Sequence, residues 1–213
     1  MGGAEATMVA SGVPISVWHA LVVEEHSGIV VLVMLVLVGR VLADITARGK
    51  EPSARVKSIR QGSDTITYAG SFAAVIFLIL SAATGYLIQP FDSLVASPLL
   101  MNKALTALGA LFFWFAFFFV RYRVGPTVWE KKGLYAAQVF TALLGFVFTA
   151  LAGSIGAELS LGQSVLDPLY RTLGFSWRTF QIQPLEVEVT AGILVILAVA
   201  VLLVPGRRAK QPK

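Results

Sequence analysis

The stretch Trp18-His19-Ala20-Leu21-Val22-Val23-Glu24-Glu25-His26-Ser27-Gly28-Ile29-Val30-Val31-Leu32-Val33-Met34-Leu35-Val36-Leu37-Val38-Gly39-Arg40 decides how this chain folds. Every residue from Ile29 to Val38 is apolar, and the whole apolar segment extends from about 13 to 43. A helix needs roughly 20 such residues to cross a 30 Å hydrocarbon layer, so this segment is long enough to span a bilayer. Four more apolar segments follow, at about 66–88, 99–120, 134–157 and 187–204. Pro90 and Pro98 bracket the second turn, Gly125-Pro126 separates the third segment from the fourth, and Pro205-Gly206 stops the fifth. The expected fold is an all-α membrane bundle of five transmembrane helices, formed by residues 1–213 as a single membrane domain.

Composition supports the same class. The chain is 56% hydrophobic and only 14% charged, where a soluble domain carries about 25% charged residues. Such a chain cannot cover itself with polar surface, so its expected partner is the lipid bilayer. Without cysteines there is no disulfide, thiolate metal site, covalent c-type haem or cysteine-ligated cluster. No signal peptide is expected, because the residues before 13 carry only Glu5 as a charge and lack a basic start.

The net charge of +5 is a topology signal rather than a sign of nucleic-acid binding. Arg48, Lys50, Arg55, Lys57 and Arg60 follow the first segment, and Arg121, Arg123, Lys131 and Lys132 follow the third. Arg207, Arg208, Lys210 and Lys213 lie in the tail, 205–213. Cation-rich loops stay in the cytoplasm, and five crossings put all three stretches on that side. The N-terminus and the 158–184 loop are then expected outside. Tyr122, Trp129 and Tyr135 are expected at the inner interface, and Trp18, Tyr86, Tyr170 and Trp177 at the outer one.

Small residues recur at four-residue spacing in Ser81 and Gly85, Thr149 and Gly153, and Ala152 and Gly156, a pattern that lets helix backbones approach closely. On the third segment Phe112, Phe113, Phe115, Phe117, Phe118 and Phe119 surround Trp114. Rings on every side of a helix make a lipid-facing wall or line a cofactor site, and the first is the expectation.

Both histidines, His19 and His26, lie on the first segment seven residues apart. That spacing puts them on one helix face about 10 Å apart, and Val30, Val33 and Leu37 continue the stripe. With Arg40 near the inner boundary, Glu24, Glu25 and His26 fall just inside the opposite one, where ionisable groups are costly and mark a site. Three readings stand side by side. His19 or His26 can be an axial ligand of a b-type haem or another tetrapyrrole, with Met34 or Met101 as second ligand, or in a five-coordinate site or one completed by another subunit. His26 with Glu24 or Glu25 can hold a metal if another element completes the set, since the carboxylates point away from the histidine face. In the third, residues 13–23 lie along the surface and the chain bends at Glu24 to Gly28, aided by Ser27-Gly28.

Asp167-Pro168 opens a short helix, with Asp167 as N-cap and the proline at its first position. With Tyr170, Trp177 and Phe180 nearby, this loop is expected to lie on the membrane or dock a partner. No phosphate loop, nucleophile elbow, zinc-protease helix or calcium loop is present, and five unequal spans argue against a transporter built from repeats.

The segments Pro14-Ile15-Ser16-Val17-Trp18-His19, Ala83-Thr84-Gly85-Tyr86 and Gly153-Ser154-Ile155-Gly156-Ala157-Glu158-Leu159 with Gly162 carry a resemblance. Over about two-thirds of its length the chain resembles an uncharacterised family of small four-helix bacterial and archaeal membrane proteins. Those begin His-Pro-x-x-Val-His-Phe-Pro and close their fourth helix on a Gly-Gly-Glu-Leu-type segment. Val13 stands in place of the first histidine, the second is displaced by one residue, and Asn102-Lys103 stands where another histidine is often seen. The resemblance implies a four-helix core and haem-binding redox chemistry, with the fifth helix an addition.

The expected function is that of a non-catalytic accessory subunit of a larger respiratory or redox membrane complex, with other membrane subunits as partners. A cytochrome-like electron carrier and a proton- or ion-conducting protein using Glu25 or His26 are the alternatives.

Overall fold

The computed structural model describes residues 13–89, 91–177 and 180. Among these the chain is helical, with α1 Ile15–Thr46, α2 Ala54–Ile88, α3 Phe91–Ala96, α4 Pro98–Val124, α5 Lys132–Leu161 and α6 Asp167–Thr172. Four of them, α1, α2, α4 and α5, are long and apolar enough to cross a membrane. They close into a ring in which α1 packs on α2, α2 on α4, α4 on α5 and α5 on α1. The fifth expected span, 187–204, and the basic tail, 205–213, lie outside the described residues.

Local chemistry sets the joints. Gly49, at φ 75°, turns the chain after α1, and the Ser53 hydroxyl accepts the Val56 N–H to start α2. Ser97 does the same for α4, followed by Pro98 in the first turn. Gly125, at φ 77°, stops α4 and leads into the 3₁₀ turn Pro126–Trp129. Asp167 is the first residue of α6 rather than its cap, and its carboxylate turns back to accept the Ser164 N–H.

Two boundaries differ from the sequence expectation. α2 begins at Ala54, well before the apolar run that opens at Ile66, because the polar residues between stay helical under ionic contacts described below. α1 is a single helix through Glu24 to Gly28, so the reading that separates 13–23 from the span at that point does not hold. Ser27 donates its hydroxyl proton to the Val23 carbonyl along the same helix, which accommodates the polar side chain without a break.

The core has two halves. Between α1 and α2, Val30, Val33 and Leu37 pack on Ala74, Val75 and Leu78. Between α4 and α5, Trp114 and Phe117 are fully buried, and Gly145 sits against the Trp114 ring. Trp114 Nε1 donates to Thr149 Oγ1 at 3.2 Å, and Gln138 Nε2 donates to the Phe117 carbonyl at 3.2 Å. Interhelical bonds of this kind are worth about 0.6 kcal/mol on average in a membrane bundle. The α4 aromatics are therefore divided. Trp114 and Phe117 form core, while Phe118 stacks on Tyr68 and Phe72 of α2.

At the end remote from the cationic loops, Tyr170, Trp177 and Ile155 form a second buried cluster with Leu151 and Leu99. Large apolar side chains cover the rest of the surface, Leu35 of α1 at 67% exposure among them. That is the pattern of a protein whose solvent is hydrocarbon.

Gly109 of α4 faces α5 so closely that a Cβ there would lie 2.6 Å from Phe148 Cδ1. Gly109→Leu is expected to destabilise the bundle by about 1–3 kcal/mol. Gly153→Leu, where nothing lies within 4 Å of an added Cβ, should leave thermal unfolding in detergent unchanged.

Candidate functional site

The polar stretch of α1 divides by helix geometry. At 100° per residue, His26, Val30, Val33, Leu37 and Arg40 share one face, and all five are buried. Glu24 and Glu25 are exposed on the other side. The structure therefore does not bring His26 together with Glu24 or Glu25, and no group of three metal-ligating side chains occurs among the described residues.

His19 rests on α2, its Nδ1 3.0 Å from Thr84 Oγ1. Gly85 makes that approach possible, since a Cβ there would lie 3.2 Å from His19 Cε1. The Ser81–Gly85 spacing thus serves a histidine–helix contact, and Gly156 of the fourth span similarly lies beneath the Lys103 side chain. His26 is sealed between α1 and α2 with neither ring nitrogen in a hydrogen bond.

Room for a tetrapyrrole can be judged from the packing around His26. Val30 and Val33, one and two turns along, are 1% and 0% exposed, and Ala74 opposite is 0% exposed. Farther along the same seam, a Cβ on Gly70 would lie 2.4 Å from Val33 Cγ2. A macrocycle on His26 would have to part α1 from α2, so these residues do not fit such a group as packed.

The aromatic loop also differs from its expected role. Tyr170 and Trp177 turn inward, each 8% exposed, and bury their rings against Ile155 and Phe175. They close the end of the bundle and are not offered to a partner. Phe180 is 40% exposed, and its carbonyl accepts Asn102 Nδ2 at 2.9 Å.

The densest polar constellation lies at the opposite, cationic end and was not anticipated as a site. Asp64 of α2 accepts two bonds from Arg121 of α4, Nε to Oδ1 at 2.7 Å and Nη2 to Oδ2 at 2.5 Å. Trp129 Nε1 donates to the same Oδ1 at 2.6 Å. Asp44 of α1 accepts from Arg60 Nε of α2 at 2.6 Å and from the Tyr135 hydroxyl of α5 at 3.0 Å. Arg40 lies beneath, donating to the Arg60 carbonyl at 2.8 Å, with its guanidinium 4.4 Å from the Trp129 ring centre. Two aspartates thus join all four long helices. The signal available in sequence was a pair of aspartates at the ends of apolar runs, each beside a cationic loop.

Asp64 precedes the apolar run of α2. Burial pushes its carboxyl up, but hydrogen bonds from Arg121 and Trp129, with the charges of Arg121 and Arg40, outweigh that and hold it below its ordinary value of 3.8.

Comparison with family models, curated proteins and solved structures finds no match to this chain.

Burial ranks the two ion pairs that cross between helices. The Arg121–Asp64 side chains are 13% and 14% exposed, whereas Arg60 is 35% exposed. Asp64→Ala strands a buried guanidinium and an indole N–H and is expected to cost about 3–5 kcal/mol in detergent unfolding. Arg60→Ala should cost about 1 kcal/mol or less.

A carboxylate with a depressed folded value stabilises above its unfolded value, and loses that stabilisation as pH falls through the folded one. Wild-type stability should therefore show an acid limb below about pH 4, and Asp64→Asn should diminish it.

Proposed function

We propose that this chain is a non-catalytic accessory subunit of a larger membrane complex, bound through the outward face of α1. The observation carrying this reading is Glu25. It lies on a stripe with Leu21, Gly28, Leu32, Leu35, Gly39 and Leu42, and every one of these is exposed. The spacing is i, i+4, i+7, i+11, which is one helix face.

Arg40, anchored in the ionic network, marks the inner boundary. Fifteen residues back, about 22 Å along the axis, Glu25 remains within a 30 Å hydrocarbon layer. A charge facing lipid is unfavourable by up to about 3 kcal/mol at mid-membrane and less towards the boundary. A neighbouring protein that hydrogen-bonds the carboxylate removes that cost. Gly28 and Gly39 on the same face have nothing within 4 Å of an added Cβ, so a partner helix can approach the backbone there.

In this proposal the cationic end faces the cytoplasm, the N-terminus lies outside, and 187–204 supplies a fifth crossing. Those assignments rest on the distribution of Lys and Arg and on the apolar length of that segment. A prokaryotic cytoplasmic membrane and a respiratory or redox complex are what the resemblance implies. Asp44, Asp64, Arg40, Arg60 and Arg121 are engaged in joining helices, which supports a structural rather than a catalytic part for that network.

The absence of cysteine makes cross-linking clean. In native membranes, Leu35→Cys should give a discrete adduct with a different chain, and Phe140→Cys, exposed on α5, should not. Glu25→Leu should reduce co-purifying chains while leaving the isolated protein as stable as before or more so. Adducts only between copies of this chain, or none at all, would contradict the proposal.

A further inference from the structure

Above the ionic network lies a cleft of about 1010 Å³, lined by the ends of α1 and α2, the 3₁₀ turn and the start of α5. Five cations line it, namely Arg40, Arg48, Lys57, Arg60 and Lys132. Three acids line it too, but Asp64 is saturated by Arg121 and Trp129, and Asp44 by Arg60 and Tyr135. Arg48, Lys57 and Lys132 are exposed, and their side chains make no hydrogen bond or ion pair among the described residues. Only Glu130 remains to offset them.

Part of the cleft lining has a different chemistry. Val41 and Ile45 line it from α1, at the end of that helix's apolar run, and Ile45 is 61% exposed. Exposed cations beyond the end of α1 and apolar side chains on its last turns match a ligand with an anionic head and an apolar body.

We infer that this cleft binds a phosphate group, as carried by the headgroup of an anionic phospholipid, with Arg48, Lys57 and Lys132 as its counter-charges. A basic pocket between helices where they leave the bilayer is the recognised form of such sites. Arg60 adds a donor, since Asp44 engages only its Nε. The inference requires that this end of the bundle meet a bilayer surface, whichever side that is, and does not depend on a partner subunit.

The test is a titration of the full-length protein in detergent, followed by native mass spectrometry, with phosphatidylglycerol and with phosphatidylcholine. Thermal unfolding with inorganic phosphate is measured in parallel. Wild type should prefer phosphatidylglycerol, and Arg48→Gln/Lys57→Gln/Lys132→Gln should weaken that binding about tenfold or more. Comparing the two proteins cancels binding by the basic tail, which both retain. If inorganic phosphate also raises the wild-type melting temperature but not that of the triple variant, free phosphate is sufficient. If it is silent while phosphatidylglycerol discriminates, the lipid is the source. Equal phosphatidylglycerol affinity in wild type and variant would overturn the inference. Should the triple variant fail to fold, Lys57→Gln, at an exposed position outside the ionic network, carries the same comparison with a smaller loss.

Discussion

The Asp64 carboxylate is the point on which the bundle depends. It accepts both arms of the Arg121 guanidinium and the Trp129 indole N–H, so one side chain of α2 fixes the end of α4 and the turn that leads into α5. The hydrophobic effect does not drive helix association in hydrocarbon, because lipid tails are as apolar as a leucine. Register must therefore come from close backbone approach and from polar contacts. Gly109, Gly145 and Gly70 supply the first along the helices, and the two aspartates supply the second at one end. Arg40 shows how tightly the contacts are nested, buried at 6% exposure between Asp44, the Arg60 carbonyl and the Trp129 ring.

α1 carries two messages on one cylinder. Its inward face runs from His26 through Val33 to Arg40 and seals against α2, while its outward face carries Glu25 between leucines and glycines. On the inward face both histidines are turned toward α2 and away from Glu24 and Glu25. His19 is held by Thr84 on Gly85, and His26 is buried on the stripe that Val30 and Val33 continue. The outward face leaves a carboxylate where a bilayer does not welcome one.

Much of this was legible from residue order alone. The apolar lengths gave four helices that the structure contains, and the seven-residue spacing of His19 and His26 correctly placed Val30, Val33 and Leu37 on their face. Charge periodicity also separated Glu24 and Glu25 from His26. What was not legible depended on contacts between distant residues. Asp64 and Arg121 are 57 residues apart, and nothing in either loop says which cation the aspartate will choose. For the same reason Tyr170 and Trp177 looked like a docking surface. Their pattern is that of an amphipathic loop, and only the aliphatic side chains of α4 and α5 beneath them, Leu99, Leu151 and Ile155, decide that they turn inward. Of the three readings of the Glu24 to Gly28 stretch, the one that broke the helix there does not hold, since α1 runs unbroken from Ile15 to Thr46.

The most direct test of the claim that Asp64 organises the bundle is a double-mutant cycle with Asp64→Asn and Arg121→Gln, read as unfolding free energy in mixed micelles. Coupled residues in one buried network give interaction energies of about 0.5–3 kcal/mol, and the bidentate geometry predicts a value in the upper half of that range. Additivity of the two single changes to within about 0.5 kcal/mol would contradict the account.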